Sequence, residues 1–206
     1  MILFAACGRS GEPVANEGVV STGNEAVESG ATSGTEAAVA ALKDFPDADF
    51  SGYAGLEGVE EFATYKDVTV ADIAALVDAK ETFVFLASFE DCPWCNAVIA
   101  ELNAAAREAG IPVGSLDTRK NPAWKNNLDI DNYDLFVEYF GDYLEDDEDG
   151  RPHLYVPHIF FLCNGEVVYQ HQGALAEMGN DPNMVLTDEQ EEALIDIFRR
   201  GFATIR

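Results

Sequence analysis

Phe83-Val84-Phe85-Leu86-Ala87-Ser88-Phe89-Glu90-Asp91-Cys92-Pro93-Trp94-Cys95 sets an apolar run directly before a Cys-x-x-Cys pair. The run from Thr82 to Ser88 is short and rich in aromatic and β-branched residues, which reads as a buried central strand. Beyond it, Val98, Leu102, Ala105 and Ala109 recur at helical spacing, and Gly110 follows as a C-terminal stop, so a helix is expected over 93–109. Pro93 suits the first helical position, where a missing N–H costs nothing.

A cysteine at that junction has a chemistry. Unpartnered amides and the partial positive charge of a helix N-terminus stabilise a thiolate, lowering its pKa from the free value of about 8.5. Cys92 is expected at the cap and exposed, as the nucleophile that forms a mixed disulfide. Cys95, one turn in and more buried, is expected to resolve it. Competing readings of the pair are weaker. Structural zinc needs a second pair or nearby histidines, covalent haem needs His where Asn96 stands, and a three-residue step on a helix is a poor structural staple. No metal and no other cofactor is expected.

Working outward, Glu61–Tyr65 reads as a first strand and Val70–Ala79 as a helix with Ile73, Leu76 and Val77 on one side. Ile111–Leu116 reads as a strand and Tyr133–Leu144 as an acidic helix. Ile159–Cys163 and Glu166–Gln170 form a hairpin about Asn164-Gly165. Thr187-Asp188-Glu189-Gln190 has the form of a capping box opening a last helix, with Leu194, Ile197, Phe198 and Phe202 as its buried stripe. The order βαβαβαββα predicts an α/β fold, a central mixed β-sheet flanked by helices.

The strand–Cys-Pro-Trp-Cys–helix order over Phe83–Leu102 resembles the thioredoxin superfamily. Val156-Pro157-His158-Ile159-Phe160-Phe161-Leu162, Asn164-Gly165-Glu166-Val167 and Gly173-Ala174-Leu175 resemble the second half of that fold. The resemblance covers roughly Val59 to Arg206. It implies a thioredoxin fold, a cis Val156–Pro157 bond lying against the redox pair, and Pro93, Trp94, Val156 and Pro157 as substrate-binding positions, with Trp94 an exposed apolar rim. It implies a thiol–disulfide oxidoreductase acting on protein thiols or disulfides.

The sequence departs from the family at several places. Leu86 stands where thioredoxins keep a buried Asp, and Glu90 and Asp91 precede Cys92, where their charge opposes a thiolate. Pro-Trp between the cysteines is closer to glutaredoxins, which keeps a glutathione-dependent reductase as an alternative. A redox-inert adaptor in an envelope complex is the other.

The N-terminus carries a second line of argument. Met1-Ile2-Leu3-Phe4-Ala5-Ala6-Cys7 is too short to span a bilayer. It resembles the tail of a lipoprotein signal ending at a lipidated Cys7, as in thioredoxin-like lipoproteins of Gram-positive bacteria, some of them bacteriocin-transport accessory proteins. Residues 1–7 are thus read as a signal remnant. Residues 8–44, without an aromatic and rich in Gly, Ser, Thr, Ala, Asn and Glu, are read as a flexible, disordered acidic tether with at most transient helix at Glu36–Lys43. Residues 45–206 form the thioredoxin-like domain. This places the protein outside the cytoplasm, on the cell membrane only through the lipid.

Composition excludes other classes. Across 206 residues, 38 acidic against 12 basic residues leave a net charge of −26, which excludes nucleic acid and electrostatic docking on anionic lipid as partners. Hydrophobic residues at 48% suffice for a core. Three further features are read blandly: Glu145–Gly150 as a solvated acidic loop rather than a calcium site, Cys163 as a buried free thiol, and His158 as hydrogen-bonded although its place after Pro157 could set it near the redox pair.

Overall fold

The computed structural model describes residues 34–51, 53, 64–90, 92–119, 130–175 and 185–206. The first element departs from expectation. Gly34–Leu42 is a helix (α1) whose Ala38 and Leu42, four residues apart on one face, are fully buried in the core. The tether expected over 8–44 therefore does not extend through α1, which belongs to the folded body; residues 8–33 lie outside the described residues. Alanine-rich composition hid this: small side chains carry little hydrophobic signal yet let a helix approach closely.

Tyr65–Asp67 is the first strand (β1), pairing in parallel with Val113–Asp117 (β3) from Tyr65↔Val113. Of the expected strand Glu61–Tyr65, Tyr65 alone falls in it, and Glu61–Ala63 lie outside the described residues. The alternation there is masked by Lys66 and Asp67, which serve the edge. Val70–Asp78 (α2) starts at a reciprocal cap, the Thr69 hydroxyl accepting from the Asp72 N–H and the Asp72 carboxylate from the Thr69 N–H. Phe83–Ser88 (β2) is buried at all six positions. Pro93–Ala109 (α3) ends at Gly110, left-handed at φ 69°, and the Ile111 N–H returns to the Ala106 carbonyl. That return delays β3 to Val113, two residues later than periodicity placed it.

Ile130–Phe140 (α4) passes into a 3₁₀ turn at Gly141–Tyr143, and the short strands Glu145–Asp146 (β4) and Pro152–His153 (β5) pair with each other. His158–Cys163 (β6) and Glu166–Gln172 (β7) form the expected hairpin, and Asp188–Ala203 (α5) opens on the expected box, with Gln190 reaching back to the Thr187 N–H at 2.9 Å.

The fold is α/β, with a five-stranded mixed sheet in the order β1-β3-β2-β6-β7. β2 pairs in parallel with β3 and antiparallel with β6. Because strand side chains alternate, β2 and β6 feed two cores. Val84, Leu86, Ile159 and Phe161 meet α3 and α5 on one face. Phe83, Phe85, Phe160 and Leu162 meet α2 and α4 on the other, where Phe85 stacks on Phe160 at 4.9 Å.

At the β6–β7 turn both central residues are left-handed, Asn164 at φ 52° and Gly165 at φ 78°, as a two-residue hairpin requires. A Cβ on Gly165 would sit 2.5 Å from the Val77 carbonyl oxygen. Gly165→Ala should therefore lower stability by about 1–3 kcal/mol, read as a reduced urea midpoint, whereas Asn164→Gly should leave the midpoint nearly unchanged.

Candidate functional site

The site is assembled where β2 ends. The Cys92 N–H closes a turn onto the Phe89 carbonyl at 3.2 Å, and Cys92 becomes the N-cap of α3. Its Sγ accepts the Cys95 N–H at 3.1 Å, and its carbonyl accepts the Asn96 N–H at 3.1 Å. The sulfur thus sits on the positive end of a helix 17 residues long. Pro93 holds the first helical position, and Cys92 and Cys95 form a disulfide with Cα atoms 5.2 Å apart.

The second part comes from 64 residues further on. The Val156–Pro157 bond is cis, and the Val156 carbonyl oxygen lies 3.9 Å from Cys92 Sγ. β6, which begins at His158, is hydrogen-bonded beside β2, with Ala87↔His158 as the last pair. That pairing delivers Val156 and Pro157 to the end of β2 that carries the cysteines. The four positions expected to bind substrate are brought to one place.

Two expectations of exposure are corrected. Cys92 is 2% exposed and Cys95 0%, so the sulfur expected at the surface is covered in the disulfide form. Trp94 is half-buried against the same core cluster rather than an open rim, and Val156 packs there too. Helix position alone does not reveal this packing: Trp94 and Val156 lie partly buried against the apolar cluster that includes both cysteines.

His158 is not a neighbour of the pair. Ile159 shares the core with Cys92 and Cys95, so alternation turns His158 to the opposite face, where its ring stacks on Phe160 at 4.0 Å. Its Nε2 meets Gln170 Oε1 at 2.9 Å and its Nδ1 is buried without a partner. Burial drives its pKa down to about 4, the Gln170 contact opposing and His171 adding to the fall. Cys163 is buried as expected but is not a free thiol: it is disulfide-bonded, and the other half of that bond lies outside the described residues. Cys7 and Asp91 also lie outside them.

The electrostatics around the pair are acidic. Glu90 is exposed and, with Asp47, Asp49, Tyr53, Asp67 and Asp117, lines a cavity of about 360 Å³ at the C-terminal end of the parallel strands. Burial pushes the Tyr53 phenol up to about 12 against its bond to Ser88, at 2.9 Å. Leu86 is fully buried. A half-buried carboxyl does occur on α3, at Glu101, with Oε2 enclosed. Desolvation raises it to about 7, a backbone hydrogen bond opposing and Glu191 adding to the rise.

The acidic loop is a turn: Asp147 Oδ1 accepts the Asp149 and Arg151 N–H groups at 2.9 and 3.0 Å, and Arg151 bridges to Asp149 at 2.7 Å. Among the described residues no group of three or more His, Cys, Asp or Glu could hold a metal ion, and no helix is long and apolar enough to cross a membrane.

Sequence reading missed Phe89 and Arg119. Phe89 is buried in the core that holds Cys92, and the exposed Arg119 guanidinium stands 3.5 Å from the centre of its ring. An aromatic three residues before the first cysteine was a signal for the first; the second is visible only in three dimensions. The chain matches no known family model and no curated protein.

His158 yields a pH test. In the unfolded chain its imidazole takes up a proton near pH 6.5, but in the fold only near 4, so the unfolded state binds more protons between these values. Stability is complete above 6.5 and falls as pH drops to 4, by about 3 kcal/mol. His158→Phe should remove that share, so chemical denaturation at pH 7 and pH 4 should show a flatter dependence in the variant than in the wild type.

Proposed function

We propose that the protein is a thioredoxin-fold thiol–disulfide oxidoreductase that acts on protein substrates through Cys92 and Cys95. The observation that carries the reading is the position of the disulfide: at the N-terminus of α3, with the Val156 carbonyl against Cys92. The strand order, with parallel β1, β3 and β2 beside an antiparallel β6–β7 hairpin, supports the fold assignment.

In the disulfide form, a substrate thiolate attacks Cys92 Sγ. The Cys92–Cys95 bond breaks, Cys95 leaves as a thiolate and takes up a proton, and a Cys92–substrate mixed disulfide remains. A second substrate thiolate then attacks the substrate sulfur of that bond and releases Cys92 as a thiolate. The substrate gains a disulfide, and the pair gains the two electrons. The reverse sequence reduces a substrate disulfide, Cys92 attacking and Cys95 resolving. The Cys95 N–H donated to Cys92 Sγ, together with the positive end of α3, favours the anionic form of Cys92 in either direction.

Access requires movement, since Cys92 is 2% exposed. Trp94 and Val156 are the half-buried groups at hand to yield to a substrate chain, whose backbone would then lie along Val156-Pro157. The same burial favours a second reading, a redox-inert adaptor that keeps its disulfide closed. One experiment separates them. Purified protein should exchange disulfides with a model substrate, Cys92→Ser should lose activity at least about a hundredfold, and Cys95→Ser should accumulate mixed disulfides. Equal activity of wild type and Cys92→Ser would leave the adaptor.

The proposal extends to location: outside the cytoplasm, held to the bacterial cell membrane by a lipid on Cys7, a state that requires Cys163 to be released from its disulfide, because Cys7 is the one other cysteine of the chain beside the Cys92–Cys95 pair. Mass spectrometry of the protein isolated from its native cells should show the lipid on Cys7. A Cys7 found unmodified, or oxidised in a disulfide, would remove the anchor.

A further inference from the structure

The charge around Cys92 poses a problem that the helix end does not settle. Glu90 and Asp91 stand directly before the cysteine, and Glu90 faces a cavity shared with Asp117 of β3 and with Asp47, Asp49 and Asp67. From the segment before β1, Tyr53 contributes a neutral hydroxyl bonded to Ser88. From the β6 side, the Val156 carbonyl presents its negative end to the sulfur, and His158 is turned to the far face. Apart from the α3 amides, these groups are neutral or acidic, and the acidic ones oppose a thiolate.

Against them stands Arg119. It follows β3 on the connection that leaves the sheet beside the redox turn, where the Thr118 N–H is tied to the Ser88 carbonyl at 2.8 Å. The Arg119 N–H is in turn tied to the Asp117 carboxylate at 2.8 Å. With its own N–H and that of Thr118 both tied, the side chain lies over Phe89, its guanidinium carbon 3.5 Å from the ring centre. Phe89 supplies the carbonyl that receives the Cys92 N–H. A cation on the outer face of that ring both presses the turn onto the core and brings positive charge to the loop that holds the nucleophile.

We propose that Arg119 is a positioning residue for Cys92, acting through Phe89 to hold the redox turn and to offset Glu90 and Asp91 when Cys92 is ionised. The inference rests on the exchange reading for its purpose. Its physical content is a property of the Cys92 thiol and stands apart from turnover.

The test reads Cys92 directly. In reduced Cys95→Ser protein, alkylation of the Cys92 peptide by iodoacetamide is followed by mass spectrometry from pH 5 to 10. Arg119→Met should move the midpoint up by about 0.5–1 pH unit, lowering the thiolate fraction about three- to tenfold at pH values well below the midpoint. Arg119→Lys, which keeps a cation able to lie on the ring, should restore most of it. In a Phe89→Leu background Arg119→Met should add little, since the platform is gone. A midpoint unchanged in Arg119→Met, or a shift that persists undiminished with Phe89→Leu, would overturn the proposal. Arg119 is exposed, so folding is checked by the thermal midpoint of each variant; an unfolded Arg119→Met passes the test to Arg119→Gln. Wild-type protein inactive in exchange but with an Arg119-dependent midpoint would sink the functional reading and leave this one standing.

Discussion

β2 is hydrogen-bonded on both sides, and the site depends on that double pairing. Its parallel partner β3 obliges the chain to cross over through α3, so the helix must start where β2 ends. Its antiparallel partner β6 must begin near that same end, so the loop before β6 arrives beside the start of the helix. Cys92 and Val156 are neighbours because one strand organises both approaches. The full burial of Phe83–Ser88 is what makes the pairing obligatory: backbone groups with no water must find partners in a ladder.

What the sequence disclosed follows from the range of the interactions. Caps are local, and both capping boxes fall within four residues; the Thr187 box and Gly110 were legible as written. The Asn164-Gly165 turn is local too, needing two left-handed residues in succession. The mixed sheet could be expected from the alternation of strand and helix patterns. Strand starts were less accessible, because the start of β3 is set by how α3 releases its last carbonyls, and the polar β1 is held by its partner rather than by its own pattern.

The site was legible in identity and not in environment. Cys92, Cys95, Val156 and Pro157 announce themselves by type and order. The Val156 carbonyl against Cys92 and the placing of Arg119 on Phe89 arise from segments distant in sequence. α1 shows the same limit. Its alanines say little about burial until the body they lie against is present, and Ala38 and Leu42 then prove to be fully enclosed.

The alternation along β6 has one more consequence, for error rather than function. His158, Phe160 and Leu162 face one core while Ile159, Phe161 and Cys163 face the other. Both faces are enclosed, so neither is marked by solvent, and the strand is nearly as apolar one way up as the other. A slip of one residue against β2 would exchange the two sets and carry an imidazole into the layer beneath the cysteines. Discrimination between the registers falls to shape. Phe85 stacks on Phe160 at 4.9 Å, and the ring of Phe161 lies so close to Gly201 of α5 that a Cβ there would meet it. A missing methyl group on a helix thus accommodates the observed register of a strand, where hydrophobicity alone would leave two pairings nearly degenerate.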